Sequence, residues 1–336
     1  MAKDVRRGSR RSRSAEVPVS RQAVGLDVGG TKIAALRVDE DGAVLARTSV
    51  PTPTGEGEEI VSAALAAARS VMSSDVVAVG AGLAGMVDQC SGVLRYAPNL
   101  PWREMPVAER IGRGTGLPCV ADNDANVAVW GEFRFGAGRG MDSLLMLTIG
   151  TGIGAGVVAE GKLFRGAHGL AGEVGHIIVE PGGPVCGCGN RGCWEQVASG
   201  QAIGRLGREA VEESPASLIA RVVDGDEERV DGRLVTRAAH DGDEVAREIL
   251  AGVGRRLGEG IAGLVNAFDP EIVVVGGGAV DAGELLLGPA RAALRRCVEA
   301  PEYRPEVPLV AAALGVDAGS IGAAILALDA SENPAL

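Results

Sequence analysis

Ala23-Val24-Gly25-Leu26-Asp27-Val28-Gly29-Gly30-Thr31-Lys32-Ile33-Ala34-Ala35-Leu36-Arg37-Val38 is an apolar run, a glycine turn and a second apolar run. Ala23 to Val28 predicts a buried strand, Ile33 to Val38 its return, and Ala43 to Val50 a third strand after the turn at Asp39 to Gly42. Two glycines expose backbone amides at the strand end, and beside them stand a threonine hydroxyl and a lysine. Gly29, Gly30, Thr31 and Lys32 therefore make a candidate phosphate cradle, and Asp27 can face a magnesium ion. A P-loop or a GxGxxG turn would lead into a helix; this turn leads back into a strand.

The pattern recurs. Ser143 to Ile149 reads as a strand, Gly150-Thr151-Gly152-Ile153-Gly154 as a glycine turn, and Ala155 to Ala159 as the return. Two such units about 120 residues apart indicate an internal duplication, with two halves facing each other across a cleft. A third glycine turn, Gly276-Gly277-Gly278, follows the strand Glu271 to Val275, and an amphipathic helix runs before it from about Asp243 to Phe268. Between the units lie a helix from about Glu58 to Met72, a strand from Asp75 to Gly82 ending in the bend at Gly85, and a helix from Asn126 to Phe133.

Gly172 to Glu195 has a different character. Cys186, Cys188 and Cys193 fall within eight residues, and His176 stands ten upstream. A Cys3His set fills a zinc tetrahedron with no open position, so the metal is expected to be structural. The alternative is a disulfide with a spare thiol, which an oxidising compartment would favour. Glu173 and Glu195 bracket the knot, so an ordered loop would hold two carboxylates and the His176 ring as fixed acceptors for sugar hydroxyls.

The chain has 336 residues, enough for two domains, with 46% hydrophobic residues, 51 glycines and a net charge of -11. No apolar run reaches the length of a membrane span. Residues 1–22 carry seven basic against two acidic residues, a net +5, which leaves the remainder at -16. We read 1–22 as a disordered basic tail without a signal core, and the acidic body as unsuited to nucleic acid. A cytoplasmic protein that binds neither membrane nor nucleic acid is expected. His168 and His240 read as bystanders, Cys90, Cys119 and Cys297 as reduced thiols, and Trp102, Trp130 and Trp194 as packing.

Asp27 to Lys32, Asn123-Asp124-Ala125-Asn126, Gly150 to Gly156, Glu173 to His176, the cysteine knot and Gly276 to Gly278, in that order between about residues 23 and 325, resemble the ROK family. Ala97-Pro98-Asn99-Leu100 and Phe135-Gly136-Ala137-Gly138 are similar to the bacterial glucokinases within it. The resemblance implies a two-domain α/β fold of the actin-like, ribonuclease-H-like type, with domains at 23–138 and 139–336 and a last helix able to return to the first. It implies ATP-dependent phosphorylation of glucose at its 6-hydroxyl, by homodimers or homotetramers. Another hexose such as fructose, an N-acetylhexosamine (N-acetylglucosamine or N-acetylmannosamine), polyphosphate as donor, and a sugar-sensing regulator are the alternatives; no DNA-binding domain fits within 22 residues.

The same resemblance implies roles residue by residue. Asp124 would be the general base, although Asn and Asp at a helix start also read as caps. Gly85, Asn99, Asn123, Glu173, His176 and Glu195 would bind the sugar with Asp124. Asp27, Gly29, Gly30, Thr31 and Lys32, with Gly150, Thr151 and Gly152, would hold ATP phosphates and Mg2+, and Gly276, Gly277 and Gly278 would border adenosine. His176 would put one ring nitrogen on zinc and turn the other toward the sugar.

Overall fold

A computed structural model describes residues 20–55, 57–97, 101–224 and 226–332. The first glycine turn joins β1 (Gln22–Val28) to β2 (Lys32–Asp39) as an antiparallel pair, and β3 (Val44–Pro51) adds to β2. Helix α1 (Gly57–Val71) crosses to β4 (Val76–Leu83), parallel to β1. A small antiparallel sheet of β5 (Met86–Asp88), β6 (Val93–Tyr96) and β7 (Arg103–Met105) follows, its strands too short to show as apolar runs. Then α2 (Val107–Thr115) leads to β8 (Cys119–Asn123), parallel to β4, and β8 runs directly into α3 (Asp124–Phe135).

The second half repeats this plan. β9 (Leu144–Ile149) pairs with β10 (Ile153–Ala159) across the second glycine turn, and β11 (Lys162–Leu163) extends the pair. Helices α4 (Glu195–Ala198), α5 (Gly200–Glu213), α6 (Leu218–Val223), α7 (Gly232–His240) and α8 (Glu244–Phe268) precede β12 (Ile272–Gly276), which lies parallel to β9. Helix α9 (Glu284–Cys297), β13 (Leu309–Ala311) and α10 (Ala318–Glu332) complete the chain. The two large sheets have orders β3-β2-β1-β4-β8 and β11-β10-β9-β12-β13, so the duplicated turn motif marks a duplicated topology.

Helix α10 is buried all round, so its packing cannot be read from a polar face. It lies against β1, β4 and α3. A Cβ on Gly25 would run into the carbonyl of Ser320, one on Gly80 into that of Ala323, and one on Gly322 into that of Val127. Glycine at these positions lets backbone meet backbone, and the last helix is thereby locked onto the first sheet and the helix that Asp124 begins. Trp102, Trp130 and Trp194 are all buried. Among the described residues, no helix is long and apolar enough to cross a membrane.

Candidate active site

Asn123 ends β8 and caps α3: its Oδ1 accepts from Ala125 N at 2.8 Å and Asn126 N at 3.3 Å. Its Nδ2 donates to Gly85 O at 3.0 Å, so the capping residue also ties the bend after β4 to the start of α3. Capping fixes Asp124 as the first helical residue, with Oδ1 accepting from Ala125 N at 2.8 Å. Burial, chiefly, pushes the Asp124 carboxyl up to about 7, and the negative charges of Asp27 and Glu173 push the same way. A carboxyl poised near neutrality suits proton transfer. Asp27, at the end of β1, is also raised by burial, with Lys32 opposing.

The glycine turns sit at the ends of β1, β9 and β12. Thr52 braces the first one: its Oγ1 donates to Gly29 O at 2.7 Å, and its N donates to Thr31 O at 3.0 Å. The second turn borders a cleft of about 770 Å3 through Gly150 and Thr151, and Gly278 borders it from the third. Gly276 and Gly277 sit behind that wall. Gly276 is buried at the end of β12, and a Cβ on Gly277, whose φ is +86°, would lie 2.5 Å from Ile149 O. Gly29, Gly30, Thr31 and Lys32 lie at the β1–β2 bend of the other sheet. Gly152 abuts the Glu195 carboxylate. Asn99 lies outside the described residues.

The zinc loop runs through a short helical turn, Val174–His176, and two isolated bridges, Ile178 to Cys193 and Val185 to Arg191. Single backbone bonds such as Cys186 N to Asn190 O at 2.8 Å and Trp194 N to Ile177 O at 2.8 Å hold it between them. Trp194 anchors it, packing on Gly260 and donating from Nε1 to Arg256 O of α8 at 3.0 Å. The ligand atoms of His176, Cys186, Cys188 and Cys193 all lie within 4.8 Å of one another. Cys188 and Cys193 Sγ are 3.6 Å apart, and Cys186 Sγ is 3.6 Å from His176 Nδ1. Bonds of about 2.3 Å to sulfur and about 2.0 Å to nitrogen give tetrahedral edges of about 3.5 to 3.8 Å, so the four residues fit zinc. The six cysteines are all free, which fits metal rather than a disulfide. His176 Nδ1 faces the thiols, while Nε2 lies 4.0 Å from Glu173 Oε2. Glu195 Oε1 lies 3.7 Å from the same Nδ1 and 3.0 Å from Cys186 Sγ.

The match to ROK family models extends over residues 23–330. The chain belongs to the ROK family. A glucokinase of Streptomyces coelicolor is 42% identical over 307 residues, 90% of this chain and 96% of that protein. An N-acetylmannosamine kinase of Escherichia coli is 34% identical over 306 residues, 90% of this chain and 97% of that protein. The structure superposes with a TM-score of 0.82 on a ROK family glucokinase of Streptomyces griseus in complex with glucose and AMPPNP, 44% identical and covering 92% of this chain and 99% of that one.

Several residues of this ROK chain had no signal in the sequence. Asp122 is buried, and its Oδ1 accepts from Asn126 Nδ2 at 2.8 Å. Glu132, fully buried in α3, accepts from the backbone N–H groups of Ala137, Ala313 and Leu314 and so joins α3 to the approach to α10. Their partners lie far along the chain or arise only once α3 forms. Arg233, Thr236, Arg237 and His240 share the face of α7 that borders the cleft. His240, read as a bystander, bonds through Nε2 with Asp281 O at 3.0 Å; its 3–4 spacing from Arg233 and Arg237 was the available clue.

Proposed function

We propose that this chain is an ATP-dependent glucokinase transferring the γ-phosphoryl group to the 6-hydroxyl of glucose, with Asp124 as general base. The observation that carries the reading is the placement of the Asp124 carboxyl at the first residue of α3, fixed there by the Asn123 cap at the end of β8. In the anion form it accepts the hydroxyl proton as the oxygen attacks phosphorus in line. The Pγ–O bond to the new ester oxygen forms, the bond to the β-phosphate breaks, and ADP leaves with its electron pair.

Asn123, Asn99, Glu173, His176 and Glu195, with the Gly85 backbone, accept or donate hydrogen bonds to the sugar. Gly150, Thr151, Gly152 and the Gly29 to Lys32 turn hold the phosphates, and the nucleoside occupies the cleft bordered by Gly278 and α7. Asp27 would hold magnesium through water, and the ion would supply charge neutralisation at the transferring phosphoryl group. Zinc on His176 and the three thiols orders the loop, so the imidazole and both glutamates keep their places. The halves 23–138 and 139–336, with α10 returned to the first, act as lobes that close on sugar. We further assign a homo-oligomer working in the cytoplasm.

A coupled assay with ATP across glucose, mannose, fructose, N-acetylglucosamine and N-acetylmannosamine tests the reading. Glucose is expected to give the highest kcat/KM. A higher value for either N-acetylhexosamine would overturn the glucose assignment and leave the kinase assignment standing.

A further inference from the structure

One buried ion pair joins the two sheets beside Asp124. Asp122 belongs to β8, the edge of the first large sheet, and Arg165 follows β11, the edge of the second. Arg165 Nε donates to Asp122 Oδ2 at 2.7 Å, and the two side chains are 15% and 3% exposed. The other oxygen of Asp122 accepts from Asn123 N at 2.7 Å and from Asn126 Nδ2 at 2.8 Å. One carboxylate therefore grips both the strand-to-helix turn that carries Asp124 and the guanidinium from the opposite half.

Arg165 is held just as firmly on its own side. The N–H of Phe164 donates to Val157 O at 2.8 Å, and Arg165 O accepts from Ala171 N at 3.1 Å, which closes the loop 165–171 on itself. Gly172 then presses on Ala155 O, and Glu173 follows directly. The path from Asp124 to Glu173 is thus short and stiff: the α3 cap, the Asp122 carboxylate, the Arg165 guanidinium, a closed loop and a glycine packed on β10.

A buried ion pair is a poor source of net stability, because removing two charges from water offsets most of their attraction, and apolar residues of similar size hold a core together as well. What it supplies is direction. A guanidinium donating to one carboxylate oxygen fixes distance and angle where an apolar contact would slide.

We propose that the Asp122–Arg165 pair is a latch that sets Asp124 against Glu173, and that Arg165 is a positioning residue for phosphoryl transfer. The inference rests on the reading of Asp124 as base and Glu173 as sugar ligand. It concerns the register between the two, which is a separate property from the identity of either.

The test uses the full chain as Arg165→Met, Arg165→Lys, Asp122→Asn and Asp124→Asn, with zinc content measured for each. Misplacing a reacting group by about an ångström costs on the order of 10²-fold. Arg165→Met is therefore expected to lose about 10- to 100-fold in kcat while its KM for ATP stays within about two-fold and its zinc is retained. Because Arg165 reaches Asp122 through a single N–H donor, Arg165→Lys is expected to recover part of that loss. Turnover of Arg165→Met within about two-fold of the parent overturns the latch, as does a loss that falls equally on kcat and ATP affinity and is not rescued by lysine. Should Arg165→Met not fold, Asp122→Asn reads the same outcomes, since its amide oxygen still accepts from Asn126. An active Asp124→Asn overturns the base assignment, whereas an inactive Asp124→Asn beside an unaffected Arg165→Met overturns the latch alone.

Discussion

Asp124, the proposed base, sits where its surroundings disfavour its charge. Proton abstraction by a placed base contributes about 10²- to 10⁴-fold, so Asp124→Asn is expected to lose at least 10²-fold in kcat while glucose still binds, as read by a coupled assay and calorimetry. The parent's kcat/KM should fall as pH drops below about 7, where Asp124 takes up a proton and can no longer act as base. Stability runs the other way. A carboxyl raised in the folded state favours its neutral form there, so its contribution is full below the unfolded value of about 3.9 and is lost as pH rises through about 7. Asp124→Asn removes that penalty. Thermal unfolding of the ligand-free protein should show the variant with the higher Tm at pH 8 and the difference vanishing near pH 4. A variant less stable at pH 8 would contradict the burial that raises the group. At this scale the sequence exposed Asn123 and Asp124 as a pair with two readings, capping and catalysis. The structure gives the cap to Asn123 and leaves the Asp124 carboxylate in the field of Glu173.

Two elements carry opposite kinds of order. The loop from His176 to Cys193 has two isolated bridges and a tryptophan anchor, and a metal at His176, Cys186, Cys188 and Cys193 would tie its ends together. Elemental analysis should find one zinc per chain, and Cys193→Ser should lower both Tm and glucose affinity while ATP binding persists. Folded, active protein without zinc would contradict this. Helix α10 depends instead on close backbone approach. Gly80→Ala puts a methyl into the carbonyl of Ala323, an overpacking that costs typically about 1 to 3 kcal/mol or more. A fall in Tm without loss of zinc is the expected result, and an unchanged Tm would contradict the packing. The loop was legible because its ligands are neighbours in the chain. The seat of α10 was not, because a helix apolar on every side gives no periodic signal of which side meets what.

For the whole molecule, the two large sheets share one topology and carry glycine turns at their strand ends, and the proposed lobes 23–138 and 139–336 would face each other across the sugar. Sugar bound between them should draw the lobes together and so favour a sugar hydroxyl over water as acceptor. Small-angle scattering should show a smaller radius of gyration with glucose than without, and an unchanged value would count against closure.

The sequence by itself determined what local chemistry can write: strands as apolar runs, turns that need glycine, a ligand set within one loop, and a repeat of about 120 residues. Tertiary structure alone decided what depends on partners distant in the chain. It set Arg165 on Asp122, gave Glu132 the amides of Ala313 and Leu314, laid α10 on the first sheet and brought α7 to the cleft. A buried polar side chain is tolerated only where its hydrogen-bonding partner arrives in space, and that arrival is a property of the folded chain.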